Sequence, residues 1–414
     1  MLDYFVIIRF KWGDSMSTLG IIVEYNPFHN GHLYHLNQAK KITNATTTIG
    51  IMSGSFLQRG EPAIVDKWSR AKMAVAQGLD LVIELPTIYS TQAADWFALG
   101  ATSLLEHLKV DSLVFGSESD SIDILHRIAD LLLDEPASFK ELLKKELSIG
   151  HSYPRALSLA VQNYYNTDFA ISKPNDILGI QYLLNLKKMN SSIKAYTIKR
   201  LHANYHDQEI TENEIASATA VRKTIFSTGN IESINSVVPT TTYNYFLEEW
   251  NARRINSWNN YLQSLLLIAN SSSSQQLKKI HGMDEGFEQR IKNSLLNSPT
   301  YEQLISALKT KRYTATKIQR TLLYLMLGLT KEKVKALNVE QGPTYIRVLG
   351  FNDNGRNYLN KIKHELKLPL ITNIPRNKPA MLELDITASN MYELGLANPE
   401  YLKLEYTQAP FYLK

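Results

Sequence analysis

The sequence predicts an α/β protein, with a Rossmann-like parallel sheet over residues 16–226 followed by a mostly α-helical C-terminal region over 227–414. Three observations carry this. Between Leu19 and Phe115, short apolar runs alternate with segments of helical period, the pattern of repeated βαβ units. The runs are continuously apolar rather than alternating, as strands covered on both faces are. Beyond Ser227 the texture changes, and from Glu248 to about Leu337 only helical periodicity remains. A chain of 414 residues also exceeds what one ordinary core fills, so at least two structural units are expected.

Residues 19–23 (Leu-Gly-Ile-Ile-Val) open the sheet, and a helix follows over 30–42. A strand at 47–52, a helix at 66–77, a strand at 79–85, a helix at 91–108 and a strand at 111–115 continue the alternation. Residues 121–190 read as mostly helical, 194–199 as one more strand, and a helix over 212–226 closes the unit. The polar run 270–275 breaks the helical stretch beyond it. The last segment, 343–414, mixes a helix at 354–366 with short apolar strands such as 369–372, and no repeat of solenoid period is visible. Residues 1–15 contain the run Phe5-Val6-Ile7-Ile8, interrupted by Arg9 and Lys11. They are too short for a membrane span or a signal peptide and are read as an N-terminal extension without function.

Composition excludes several classes. Hydrophobic residues at 44% and charged residues at 21% are those of a soluble globular chain. The 45 Lys and Arg against 40 Asp and Glu leave a net charge of only +5, so a nucleic-acid partner has to be argued from local clusters. The absence of cysteine rules out disulfides, thiolate metal sites and a cysteine nucleophile, and fits a reducing, cytoplasmic compartment.

The chemistry is expected in the loop Asn26-Pro27-Phe28-His29-Asn30-Gly31-His32, which leaves the first strand and opens the first helix. In an open α/β sheet, ligands bind at the carboxyl ends of strands, against helix N-termini that favour anions. Two imidazoles three residues apart there share one face of the helix. They are placed to stabilise charge growing on a phosphate oxygen during in-line displacement, so His29 and His32 are the candidate catalytic residues. Capping or surface histidines beside an Asn-Pro turn are the bland account, and the position between a buried strand and a helix speaks against it. No third ligand lies nearby at metal spacing, so no metal site is assigned.

This loop resembles the His-x-Gly-His element of the nucleotidyltransferase superfamily, of HUP-type α/β fold. More narrowly, Val23 to His32 followed by Met52-Ser53-Gly54-Ser55-Phe56-Leu57-Gln58-Arg59-Gly60-Glu61-Pro62-Ala63 resembles the bacterial tRNA(Met) cytidine acetate ligase family, TmcAL, and the likeness extends from Met16 over nearly the whole chain. Many small adenylyltransferases have Gly-Ser/Thr-Phe before the Asp/Asn-Pro step. Glu24-Tyr25 stands here instead and favours the narrower family. The resemblance implies an enzyme that activates acetate with ATP as acetyl-adenylate and transfers the acetyl group to the wobble cytidine of elongator tRNA(Met), giving N(4)-acetylcytidine, with Mg²⁺ carried on the nucleotide. It also implies ATP contacts from Ile22, Val23, Glu24, Tyr25, Asn26, Pro27, Phe28, His29, Asn30, Gly31, His32, Leu33, Tyr34 and His35, and from Gly116, Asn175 and Arg200. Two alternatives stay open: an adenylyltransferase acting on a small phosphate-bearing acceptor, and a non-catalytic nucleotide- or RNA-binding module.

Other positions add weight. Gly116 ends the fourth strand, on the same sheet edge as the histidines. Asn175 stands at a helix entry, where capping alone would also explain it. Arg200 sits at a strand end, and a guanidinium suits phosphate better than a lysine does. The run Ile215-Ala216-Ser217-Ala218-Thr219-Ala220-Val221-Arg222 corresponds in type to the superfamily's second motif, so Ser217, Thr219 and Arg222 are expected on the β- and γ-phosphates. Gln58, Arg59 and Lys67 could reach a substrate carboxylate or RNA, and solvent exposure explains each as well. In the helical region Lys309, Lys311, Arg312, Lys317 and Arg320 cluster around Tyr313 and are the candidate RNA contacts, although such stripes are commonly solvated faces. The oligomeric state is not legible, and no membrane partner is expected.

Overall fold

The computed structural model describes residues 17–167, 169, 171, 173–200, 216–284, 286–310, 313–396 and 403–414. The extension 1–15, Ile215, the start of the helix expected at 212, and Lys311 and Arg312 lie outside them.

The first half is the expected alternation. It runs β1 (Thr18–Val23), α1 (Asn30–Thr43), β2 (Thr47–Ser53), α2 (Lys67–Ala76), β3 (Leu81–Leu85), α3 (Thr87–Ser90), α4 (Ala94–His107) and β4 (Ser112–Ser117). Four helices follow, α5 (Ile122–Asp134), α6 (Ala137–Ser148), α7 (Tyr153–Tyr165) and α8 (Pro174–Lys188), then β5 (Lys194–Lys199) and α9 (Ala218–Thr228). All pairings among β1–β5 are parallel. Side chains leave a strand to alternate faces, and both faces are apolar: Ile49, Ile51, Ile83 and Leu113 enter one core, Leu19, Ile21, Val82 and Val114 the other. That two-sided burial is why these strands read as unbroken apolar runs.

The sheet order is β5-β4-β1-β2-β3-β6-β7. From β1 the chain builds outward to β2 and β3, then crosses back to place β4 on the other side of β1. The crevice at the carboxyl ends of β1 and β4 is therefore the topological switch point, where α/β sheets bind ligands. The histidine loop leaves β1 at this point, and Gly116 lies one residue before the end of β4.

The structure differs from the sequence reading at the C-terminal end. The described residues between 231 and 341 are mostly helical, a span that contains the expected 248–337, with an apolar side (Leu265, Ile291, Leu304, Ile318, Leu322) in the same core cluster as α4. The chain then returns to the sheet: β6 (Ile346–Asn352) pairs antiparallel to β3, and β7 (Leu370–Ile371) and β8 (Phe411–Leu413) lie parallel to β6. The 343–414 segment thus completes the sheet.

A buried ionic cluster fastens this return. Lys67 on α2 bridges Glu84 on β3 (2.7 Å) and Glu405 (2.6 Å), and Arg347 on β6 reaches Glu405 (2.8 Å), every side chain being 1% exposed. Lys67 is accordingly internal and does not face a ligand. Such a cluster holds only while complete, because removing one member leaves an uncompensated charge in a poor solvent.

Candidate nucleotide site

At the switch point lies a cavity of about 290 Å³. One wall is the histidine loop. Tyr25 takes positive φ (50°), and its buried ring packs on Phe28 (4.5 Å between centroids) and edge-on to His32 (4.9 Å). His29 and His32 stack at 3.7 Å. The His29 Nδ1 accepts the Gly31 N–H (3.1 Å), and the His32 Nδ1 accepts the His29 N–H (3.3 Å). A backbone donor aimed at each Nδ1 requires a lone pair there, so each neutral ring carries its proton on Nε2. Burial, helped by Arg200 and Arg222, pushes the His29 imidazolium down to about 3; burial and the adjoining His29 keep His32 well below the usual range. Both rings are thus neutral Nε2–H donors at physiological pH.

The amides that open α1 are already engaged. The Asn30 N–H donates to the Val237 carbonyl (3.0 Å), and the His32 N–H to the His29 carbonyl (2.8 Å). A phosphate here would be met by imidazoles rather than by the backbone. The N-terminus of α9 differs: Ser217 caps it by accepting the Ala220 N–H (3.1 Å), while the Ala218 and Thr219 amides make no hydrogen bond among the described residues. Both residues line the cavity and leave an N–H pair at a positive helix end.

Arg222, also on α9, donates to the Asn26 carbonyl (2.9 Å) and pairs with Glu61 (2.9 Å), closing the loop onto the segment after β2. A fully buried arginine missed by the sequence reading, Arg70, holds the two loops together. It donates to the carbonyls of Glu24 (2.7 Å), Ser53 (3.0 Å) and Val65 (3.2 Å). Asn26 spends its side-chain oxygen on the Ile64 N–H (2.7 Å). On the far side the Glu118 carboxylate takes the Asn175 side-chain amide (2.6 Å) and its backbone N–H (3.1 Å), occupying the start of α8.

Sixteen of the expected residues line the cavity: Ile22, Val23, Glu24, Tyr25, Asn26, His29, Gly31, His32, Tyr34, His35, Gly116, Asn175, Arg200, Ser217, Thr219 and Arg222. Four are not brought there. Phe28 and Leu33 pack into the core, Pro27 lies off the lining, and Asn30 turns its side chain to the Ser236 carbonyl (3.0 Å). Lining residues outside that set include Gln58, Arg59, Glu61, Phe97 and Tyr182. Gln58 and Arg59 sit in a loop with an evident polar signal, whereas Phe97 and Tyr182 belong to helices whose apolar residues read as core.

The basic segment is only partly solvated. Lys309 is exposed. Lys317 pairs with Asp284 (2.5 Å) and lies over the Tyr313 ring (5.0 Å). Arg320 turns inward, its Nε donating to the Gln58 carbonyl (2.7 Å) at the edge of the cavity. Among the described residues no cluster of acids and histidines suits a metal ion, and no helix is long and apolar enough to cross a membrane.

A mostly parallel sheet with neutral imidazole donors, arginines and an open helix N-terminus at its switch point has the features of a nucleotide site, and the family model described as HIGH Nucleotidyl Transferase matches residues 16–406. The tRNA(Met) cytidine acetate ligase of Lysinibacillus sphaericus is 41% identical over 387 residues, covering 92% of this chain and 95% of its own. That of Halothermothrix orenii is 42% identical over 408 residues, covering 93% and 96%. Crystal structures of Thermotoga maritima TmcAL superpose with TM-scores of 0.89 for the apo form (35% identity) and 0.87 for the form bound with alpha-thio ATP (34%), each covering 96% of this chain and all of that one. The chain belongs to the tRNA(Met) cytidine acetate ligase family within the HIGH nucleotidyl transferases.

Proposed function

We propose that this protein condenses acetate with ATP and passes the acetyl group to the wobble cytidine of elongator tRNA(Met), forming N(4)-acetylcytidine. The observation that carries the chemistry is the stacked His29–His32 pair, with both Nδ1 atoms tied to backbone N–H groups and both rings held neutral. Acetate is already an anion at neutral pH, so no base is needed to generate the nucleophile. It attacks the α-phosphorus, one P–O bond forms, and the bond to pyrophosphate breaks. The Nε2–H donors stabilise the charge that builds on the α-phosphate oxygens, and they need no reorganisation to do so. Arg200 and the Ala218 and Thr219 amides face the same cavity and suit the β- and γ-phosphates. Mg²⁺ would arrive on the triphosphate, supplying charge neutralisation there.

RNA is expected on the side of Lys309 and Lys317, with Lys311 and Arg312 as further candidates and Arg320 forming the join between that helix and the cavity wall. The test is incubation with Mg-ATP, acetate and bulk tRNA, following AMP, pyrophosphate and acetylated nucleoside. Acetate-dependent release of AMP and pyrophosphate in step with N(4)-acetylcytidine is the expected result. A stable adenylylated small product, or tight ATP binding without turnover, would overturn the proposal.

A further inference from the structure

The second half of the proposed reaction needs a group that the histidine pair does not supply. The exocyclic amine of cytosine is conjugated with its ring and is a weak nucleophile. It must lose a proton as its nitrogen bonds to the acetyl carbon. His29 and His32 carry their protons on Nε2 and present donors to the cavity, so neither offers a lone pair there. Two carboxylates line the cavity, Glu24 and Glu61. Glu61 is held in an ion pair with Arg222 at 2.9 Å. Glu24 has no ion pair among the described residues. One of its oxygens accepts the Gln58 N–H (2.8 Å), which fixes the side chain, and the other takes no hydrogen bond among the described residues.

We propose that Glu24 is the catalytic residue that receives the proton of the attacking cytidine amine in acetyl transfer, its fixed oxygen on Gln58 and its second oxygen turned to the substrate N–H. This rests on the acetyl-transfer reading above. In the step, the amine nitrogen bonds to the acetyl carbonyl carbon and the carbon–oxygen bond to the phosphate breaks. AMP leaves with that electron pair, and one amine proton moves to the Glu24 carboxylate. A carboxylate also matches the hydrogen-bonding edge of cytosine, whose exocyclic amine is a donor. The charged and titratable groups that act on Glu24 come from each neighbouring element: Arg59 and Glu61 on the segment after β2, Arg70 on α2, Tyr182 on α8, Arg222 on α9, and Arg320 on the helix Ala315–Met326. Burial pushes the Glu24 carboxyl above its ordinary range and Glu61 adds to this, against the pull of the Gln58 N–H, Arg59 and Arg222. A raised carboxyl is a better proton acceptor, provided the pH keeps it ionised.

The full chain is tested as Glu24→Gln and Glu24→Asp, with acetate-dependent pyrophosphate exchange reporting adenylate formation and single-turnover acetylation of tRNA(Met) reporting transfer. Gln keeps an acceptor for the Gln58 N–H, so the loop geometry is retained. Glu24→Gln is expected to slow transfer by about 10²-fold or more, the usual worth of a positioned base, and exchange by at most about a tenth of that factor. Glu24→Asp is expected to recover part of the transfer rate. In the wild type, transfer should rise with pH to a plateau as the carboxyl ionises, and the Gln variant should lack that rise. Equal losses in both half-reactions with a raised ATP KM would assign Glu24 to the nucleotide, and unchanged transfer would assign the proton elsewhere. Either result overturns the proposal. Absence of acetylation by the wild type would instead overturn the underlying reaction.

Discussion

Replacing His32 separates its two nitrogens. The Nδ1 accepts the His29 N–H at 3.3 Å and helps hold the loop, while the proton on Nε2 is assigned to the transition state. Asn places a polar atom near the position of Nδ1 and none near Nε2; Gln places its amide near Nε2. His32→Asn should therefore keep the loop closed and lose the donor. Removing one preorganised donor of this kind costs about 10²–10³ in kcat, or about 3–4 kcal/mol. Removal of a helix cap costs only about 1 kcal/mol, worth about 2 °C in Tm for a large domain. His32→Gln should lose no more than about tenfold, or about 1.4 kcal/mol. The assay is acetate-dependent pyrophosphate exchange at saturating ATP, with ATP affinity measured by calorimetry. The ATP Kd should change far less than kcat, since the interaction strengthens only as charge develops. Equal loss of affinity and turnover in both variants would refute the reasoning and leave His32 a binding residue.

Three further outcomes follow from the geometry. Burial lowers His29 to about 3 and His35 to about 4, so the unfolded chain takes up protons that the folded chain refuses. Stability should be full above about pH 6.5 and fall with pH by about 1.4 kcal/mol per unit for each histidine; urea melts at pH 7.5 and 5.5 should show a smaller fall in His35→Asn, and an unaltered fall would refute it. Lys67→Met leaves Glu84 and Glu405 with only Arg347 in a dry interior and should cost about 3–5 kcal/mol in chemical denaturation; a loss below about 1 kcal/mol would show the cluster to be hydrated. Lys309→Glu with Lys317→Glu should weaken tRNA binding and reduce the salt dependence of log K by about 0.7–0.9 for each phosphate that the variant no longer neutralises, and an unchanged slope in filter binding would remove both from the RNA surface.

The sheet was legible in β1–β4, whose apolar residues are buried on both faces. β6 was not, because Arg347 interrupts its apolar run, and only the carboxylates of Glu84 and Glu405, distant in sequence, make that charge compatible with the interior. The histidine pair was legible from its place after β1. Its Nδ1 bonds, which decide its role, depend on backbone geometry that no spacing encodes. The opposite wall was visible only as a polar loop, since Arg70, which ties that loop to Glu24, reads as an ordinary charge on a helix. Periodicity placed Lys317 and Arg320 on a helix, as the structure does, but Lys309 lies just past a helix end in extended backbone, and the inward turn of Arg320 is a tertiary fact.

The late return of the chain to its own sheet sets a schedule for synthesis. β3 gains its second neighbour only when β6 has been made, and roughly 260 residues separate Leu85 from Ile346, about 13–50 s of translation at ordinary speeds. Through that interval the β3 edge is a template for pairing with other nascent strands. Lys67 and Glu84 meanwhile await Arg347 and Glu405. The nascent chain is thus longest exposed at the strand whose final partner carries a buried arginine, and ribosome-bound chains halted before β6 are where chaperone capture should concentrate.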